Sequence, residues 1–170
     1  MDGRCALGVM GSLPTAPAQL TRERLLVVRM AFVASPTHPL ASLKGPIPAR
    51  VLAQHRQLVL TDRSELSKGK DFGVFSSNTW RLADLGAKHA FLRAGLGWGA
   101  MPAGEIETDL ANGSLVKIAL EDVPEANLVM PMFAVYRSDR PPGPAGRWLI
   151  DRLKSSTATR ARPAKAKRVK

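Results

Sequence analysis

The run LLVVRMAFVAS, Leu25 to Ser35, constrains this chain most: eleven residues, apolar apart from Arg29 and Ser35 and β-branched at its valines, with Pro36 and Pro39 close behind. A strand with water on one face alternates apolar and polar positions; this one does not, which is the pattern of a strand covered on both faces. Proline cannot donate to a strand ladder, so the pair ends it. Such a strand needs neighbours beside it and layers above and below. With 170 residues and 45% apolar composition, the chain is long enough to supply them.

The rest of the sequence reads as strands alternating with helices of roughly ten residues. CALGVM (Cys5 to Met10) is a short apolar run ended by Gly11 and Pro14, expected as a buried strand. PIPARVLAQ (Pro46 to Gln54) starts a helix with proline in its first turn, QLVLT (Gln57 to Thr61) is a second buried strand, and DRSELSKGKD is a polar loop. FGVFSSNTWRL suits two short strands broken at Ser76 to Asn78. Asp84 is a good N-cap for a helix carrying Leu85, His89 and Leu92 on one face, and Gly95 stands where the chain would turn left-handed. WGAM gives a strand, and PAGEIETDLANG a helix from Pro102 to the stop at Gly113. SLVKIAL and NLVMPMFAVYRS are further strands, the latter with an edge or bulge at Pro131. AGRWLIDRLK places Trp148, Leu149, Ile150 and Leu153 along one side of a closing amphipathic helix. The expected class is α/β, with a mainly parallel sheet flanked by helices.

Gly95-Leu96-Gly97-Trp98-Gly99-Ala100 satisfies the loose dinucleotide pattern, but its context is inverted: a helix ends there and a strand follows, whereas a pyrophosphate needs a helix N-terminus. Gly95 is explained as a helix stop and Gly97 as a sharp turn into the strand. Gly99, inside a strand, marks close approach of a backbone or a bound molecule, and Trp98 is either core or a pocket wall. One cysteine and three scattered histidines have no metal-ligand spacing, so neither metal nor cofactor is expected. No nucleophile-elbow, zinc-protease or Cys/His arrangement occurs, and an enzyme is not expected. No window reaches the roughly 18 apolar residues of a membrane span and the start lacks a signal peptide, so the chain reads as cytoplasmic. The net charge of +11 is local: residues 155–170, SSTATRARPAKAKRVK, hold six basic and no acidic side chains, leaving +5 elsewhere. That segment is expected to be a disordered basic tail, either a solubilising end or a weak, salt-sensitive contact for DNA phosphates.

DGRCALGVMG, VASPTHPLASL, RAGLGWGAMPAGEIETDLANGSLVKI and FAVYRSDRPPGPAGRWLIDRLK together resemble, in the same order, the effector-binding domain of LysR-type transcriptional regulators, with Ala6 where the family often has aspartate. The resemblance covers about Asp2 to Lys154 and implies a type 2 periplasmic-binding-protein-like fold: lobe two about 36–132 complete, lobe one reduced to 1–35 and 133–154. Residues 1 to 24 do not resemble a recognition helix, so it implies an N-terminally truncated chain whose DNA contact belongs to a helix-turn-helix outside it, with homo-oligomer formation left open. It further implies a small effector, many in the family being organic acids, bound in an interlobe cleft to control transcription; the alternative is a stand-alone solute-binding protein. Carried over by position, the effector would meet Thr61, Asp62, Arg63 and Ser64, then Asn78, Thr79 and Trp80, then Gly97, Trp98 and Gly99. Arg63 is either a carboxylate clamp or a solvated loop arginine, and Trp80 either stacks on the effector or packs in the core. Phe32, Val33, Ala34, Ser35 and Phe133, Ala134, Val135, Tyr136 would form the hinge.

Overall fold

A computed structural model describes residues 5–11, 17–61 and 73–160, the last five by backbone only. The loop residues Asp62 to Asp71, and with them Asp62, Arg63 and Ser64, lie outside the described residues, as does Phe72. The chain divides into two compact units, Val28–Met130 and the combination of Met1–Val27 with Pro131–Lys170. It therefore passes between units at Val27–Val28 and Met130–Pro131. Phe32 to Ser35 lie beyond the first passage, buried inside one unit, and Phe133 to Tyr136 lie beyond the second, inside the other. The hinge positions read from the sequence begin four residues after Val28 and two after Pro131.

The larger unit is built on the covered strand. β2 spans Leu20–Ala34, five residues longer at its start than the apolar run, because TRER is polar yet still pairs. Its inner half alternates between two cores: Phe32 and Ala34 join Leu40, Ile47, Leu52, Trp98, Ile118 and Leu120, while Ala31 and Val33 join Leu58, Leu92, Met101, Ile106 and Leu115. Apolar side chains at successive positions thus serve opposite faces, as the missing alternation required. β5 (Trp98–Pro102) runs antiparallel to β2, with Phe32 opposite Ala100, and β6 (Val116–Lys117) pairs antiparallel with the end of β2. β3 (Gln57–Leu60) is parallel to β4 (Thr79–Leu82) and touches β5 in parallel at Gln57–Trp98. The α/β class holds, but the sheet is mixed rather than mainly parallel: its parallel part is β5-β3-β4, and the antiparallel pairs arise where β2 enters.

Helices cover this sheet as the caps dictate. α1 is one turn, Ala49–Leu52, shorter than expected, with Pro48 at the N-cap. α2, Leu85–Arg93, begins at Asp84, whose carboxylate accepts the Ala87 N–H at 2.7 Å, and Gly95 follows it at φ 74°. Pro102 closes β5 instead of opening a long helix; a 3-10 turn Ala103–Glu105 and α3, Glu107–Asn112, follow, and Gly113 ends α3 at φ 75°. Gly73 to Asn78 forms no strand, contrary to the β-propensity of Val74 and Phe75. The Gln57 side chain takes the Phe75 and Ser76 N–H groups that a neighbouring strand would need.

In the other unit β1 (Gly8–Met10) pairs antiparallel with β7 (Val129–Arg137), Val9 opposite Ala134. β1 is shorter than the apolar run CALGVM and not buried, Val9 being 56% exposed. α4 spans Pro144–Arg160 and buries Ile150 against Leu25 and Ala134. Trp148 and Leu149 do not share that face; Trp148 is 66% exposed. Three consecutive helical residues span about 200° of arc, so Ile150 and its neighbours two before cannot all face inward. Glu23 on β2 accepts from Arg147 at 2.7 and 2.9 Å and from Lys154, fixing α4, and these bonds hold its carboxyl below the usual range. α4 continues through 155–160, expected as disordered tail, since no glycine or proline interrupts the sequence before Pro163. Residues 161–170 lie outside the described residues.

Candidate functional site

In the parallel part of the sheet all three strands point the same way, so their starts lie at one edge and their ends at the other. Asn78, Thr79, Gly97 and Trp98 sit at the starting edge, level with Gln57. Thr61 sits at the finishing edge, its N–H donating to the Leu82 carbonyl at 2.7 Å. Thr61 lies four steps along the strand from Gln57, about 13 Å at roughly 3.3 Å per residue. The sequence-derived effector residues are therefore not brought together. They split because Asn78 and Gly97 precede β4 and β5, whereas Thr61 follows the end of β3, the strand end at which open α/β sheets bind ligands. Applied strand by strand, the same rule selects Ala83 and Asp84 after β4 and Ala103 after β5.

The starting edge is filled. Trp98 is fully buried, 5.9 Å from the Phe32 ring, and its indole N–H donates to the His55 carbonyl at 3.2 Å. It is core, with its polar handle satisfied from the backbone. Gln57, also buried, donates from Nε2 to Gly73 O at 2.7 Å and accepts twice through Oε1. The Ser76 hydroxyl lies within hydrogen-bond range of the His55, Ala53 and Asn78 carbonyls, the shortest at 3.0 Å to His55. Asn78 Oδ1 receives Arg56 Nε at 3.4 Å, while the Arg56 guanidinium stands 4.2 Å over the Trp80 ring. Trp80, 40% exposed, also lies 6.0 Å from Phe91.

Glycines 97 and 99 have a purely structural explanation. A Cβ at Gly97 would sit 2.5 Å from the Arg56 carbonyl oxygen, and one at Gly99 would sit 2.5 Å from that of Leu58. Neither has a positive φ, so Gly97 is not the sharp turn expected; both glycines let β5 press against β3. Behind them Lys88 of α2, buried, donates from Nζ to the Ala100 carbonyl at 2.7 Å. Desolvation lowers its pKa to about 8. No sequence signal separates it from the exposed lysines; only its place on the inner face of α2 does.

The finishing edge is different in kind. Thr61 and Asp84 are exposed, and the first turn of α2 opens there, with the Asp84 cap as its polar group. His89 lies further along α2, paired with Asp109 at 2.8 Å; Ser114 at 2.7 Å and Arg93 at 3.3 Å complete that carboxylate's shell. The Ser114 hydroxyl, then His89 and Arg93, hold the Asp109 carboxyl below its ordinary value. This links α2 to α3 and is a helix-face role for His89. Among the described residues no group of three or more His, Cys, Asp or Glu side chains could hold a metal, and no helix is long and apolar enough to cross a membrane.

The model for the LysR substrate binding domain matches residues 1–158. No curated protein matches the sequence. Among solved structures, the chain resembles the regulatory domain of CcmR from Synechocystis PCC6803 in complex with 2-PG at 18% identity and TM-score 0.69, covering 95% of this chain and 76% of that one. The regulatory domain of MetR, a LysR family regulator from N. meningitidis, is similar at 15% identity and TM-score 0.69, with 94% and 74% covered. Full-length LysG from Corynebacterium glutamicum with bound effector Arg matches at 18% identity and TM-score 0.61 over 92% of this chain and 52% of LysG. At these identities the structures speak for the fold, and the family match speaks for membership. The family is one of transcriptional regulators rather than enzymes. This chain belongs to the LysR substrate binding domain family and is a ligand-sensing module of a LysR-type regulator.

Proposed function

We propose that the larger unit receives a small organic acid at the finishing edge of β3, β4 and β5, through Thr61, Arg63 and Ser64, beside the Ala83–Asp84 turn. The observation that carries this reading is the filling of the opposite edge: Gly97, Trp98 and Gly99 are consumed by close packing and the indole hydrogen bond. Arg63 is the natural carboxylate partner, its guanidinium offering two parallel N–H donors. Small molecules bound to proteins of like fold, 2-PG on CcmR and Arg on LysG, support an effector of that size. Residues 1–154 would form the sensing domain. Sequence-selective DNA contact is assigned to a helix-turn-helix outside these residues, with residues 155–170 adding salt-sensitive phosphate affinity. The setting is cytoplasmic and the chemistry is binding without turnover; conversion of a small acid by the purified protein would overturn that part.

Calorimetric titration of the full chain with acetate, succinate and benzoate tests the site. Arg63→Met should weaken the carboxylate that binds best by about tenfold, the scale of a charge-assisted pair, while Asn78→Ala should leave it unchanged. Binding that ignores Arg63→Met but is lost in Asn78→Ala would move the site to the starting edge, and no binding of any carboxylate would reject the ligand class.

A further inference from the structure

Two histidines stand ring to ring in the larger unit. His38 and His55 have centroids 5.3 Å apart, with ring planes at 63°. His38 follows β2 and caps the 3-10 turn Pro39–Ser42: its Nδ1 accepts the Leu40 N–H at 3.2 Å, so the neutral ring carries its proton on Nε2. His38 N–H donates to Ser35 O at 2.9 Å, and its own carbonyl receives Ala41 N–H at 2.9 Å. His55 closes the turn after α1 through a 3.1 Å bond to Leu52 O. Its carbonyl carries the Trp98 indole and the Ser76 hydroxyl. One histidine thus holds the exit from β2, and the other holds the anchor of the buried tryptophan.

We propose that the His38–His55 pair is a pH-sensitive latch, in which protonation drives the two turns apart and loosens the starting edge of the larger unit. Three features oppose a charge on His38. The ring is buried; a proton on Nδ1 would abolish the Leu40 cap; and a charge on His55 would face it at close range. The cations closest in sequence offer no compensation: Arg56 is committed to Trp80 and Asn78, and Lys44 and Arg50 are exposed. The 3-10 turn itself has no charged residue, and among the described residues no carboxylate pairs with either ring. Burial first, and His55 second, push the His38 pKa below the ordinary histidine value. The sign follows: the unfolded chain takes up this proton before the folded one, so the stability is complete above about pH 6.5 and falls as the pH drops through and below it.

Urea unfolding of the full chain without effector tests this. Between about pH 7.5 and 5.5 the unfolding constant of the native sequence should rise more than that of His38→Asn, by no more than about tenfold, since the asparagine amide oxygen keeps an acceptor for Leu40 but does not titrate. His55→Gln should raise the His38 midpoint, followed by NMR of the ring protons. Should His38→Asn fail to fold, the native His38 midpoint and its response to His55→Gln decide alone. An unshifted His38 midpoint in the native chain, or equal acid sensitivity in His38→Asn, would overturn the latch.

Discussion

The two edges of the β5-β3-β4 sheet are made from the same strands, yet they differ in how their polar groups are spent. At the starting edge Gln57, Ser76, Asn78 and the Trp98 indole all bond within the protein, and glycines 97 and 99 bring backbone to backbone. At the finishing edge Thr61 and the Asp84 turn face solvent. A side chain whose donors and acceptors are already satisfied and buried gains little from a ligand. A residue type that looks like a binding group in a sequence is therefore functional only where the fold leaves its polar atoms unspent.

The sharpest way to break this contrast is to truncate one residue at each edge. Trp98→Ala should cost about 3–5 kcal/mol by emptying the core between Phe32 and Leu52, whereas Thr61→Ala should change stability by less than about 0.5 kcal/mol. Urea unfolding of the two variants measures both. A mild Trp98→Ala would mean that the indole is not the centre of that core, and a costly Thr61→Ala would mean that the finishing edge is packed after all.

The second effect comes from Lys88, the buried amine behind the glycines. Its pKa of about 8 lies below the value of 10.5 for a free lysine. The folded chain releases this proton before the unfolded chain does, so stability should climb as the pH rises from about 8 to above 10, by about 2–3 kcal/mol. Lys88→Met, nearly equal in volume, should flatten that climb while leaving the Ala100 carbonyl without its amine. Unfolding measured at both ends of the window gives the difference, and an equal climb in Lys88→Met would place the titration elsewhere.

What the sequence made legible follows from how local the physics is. The two-faced burial of β2, the Asp84 cap and the left-handed glycines at 95 and 113 depend on side-chain pattern and backbone preference within a few residues, and each was readable. The resemblance supplied the family. By contrast, Gly73 to Asn78 fails to become a strand because of Gln57, sixteen residues or more away, and Trp98 is core because a turn forty-three residues away offers it a carbonyl. Trp148 escaped the pattern because consecutive apolar residues on a helix cannot share one narrow face. Of the proposed finishing-edge site, Thr61, Arg63 and Ser64 were named from the sequence and the Ala83–Asp84 turn was not, since which end of each parallel strand faces which edge is fixed by chain direction across the sheet, not by the residue types on either side.

The smallest effect separates structure from binding at a single residue. Asp84 caps α2 through the Ala87 N–H, and Asp84→Ala should cost about 1 kcal/mol in unfolding experiments. Asp84→Asn keeps a capping oxygen of nearly equal quality and should leave stability within a few tenths of a kcal/mol. The charge is a different matter. If an organic acid docks at the finishing edge, Asp84 repels it there, and neutralising that carboxylate should strengthen binding of the same probe by a few-fold at low salt, fading as ionic strength rises. Unchanged binding in Asp84→Asn at low salt would place the acid out of reach of this turn, leaving Asp84 as a helix cap alone.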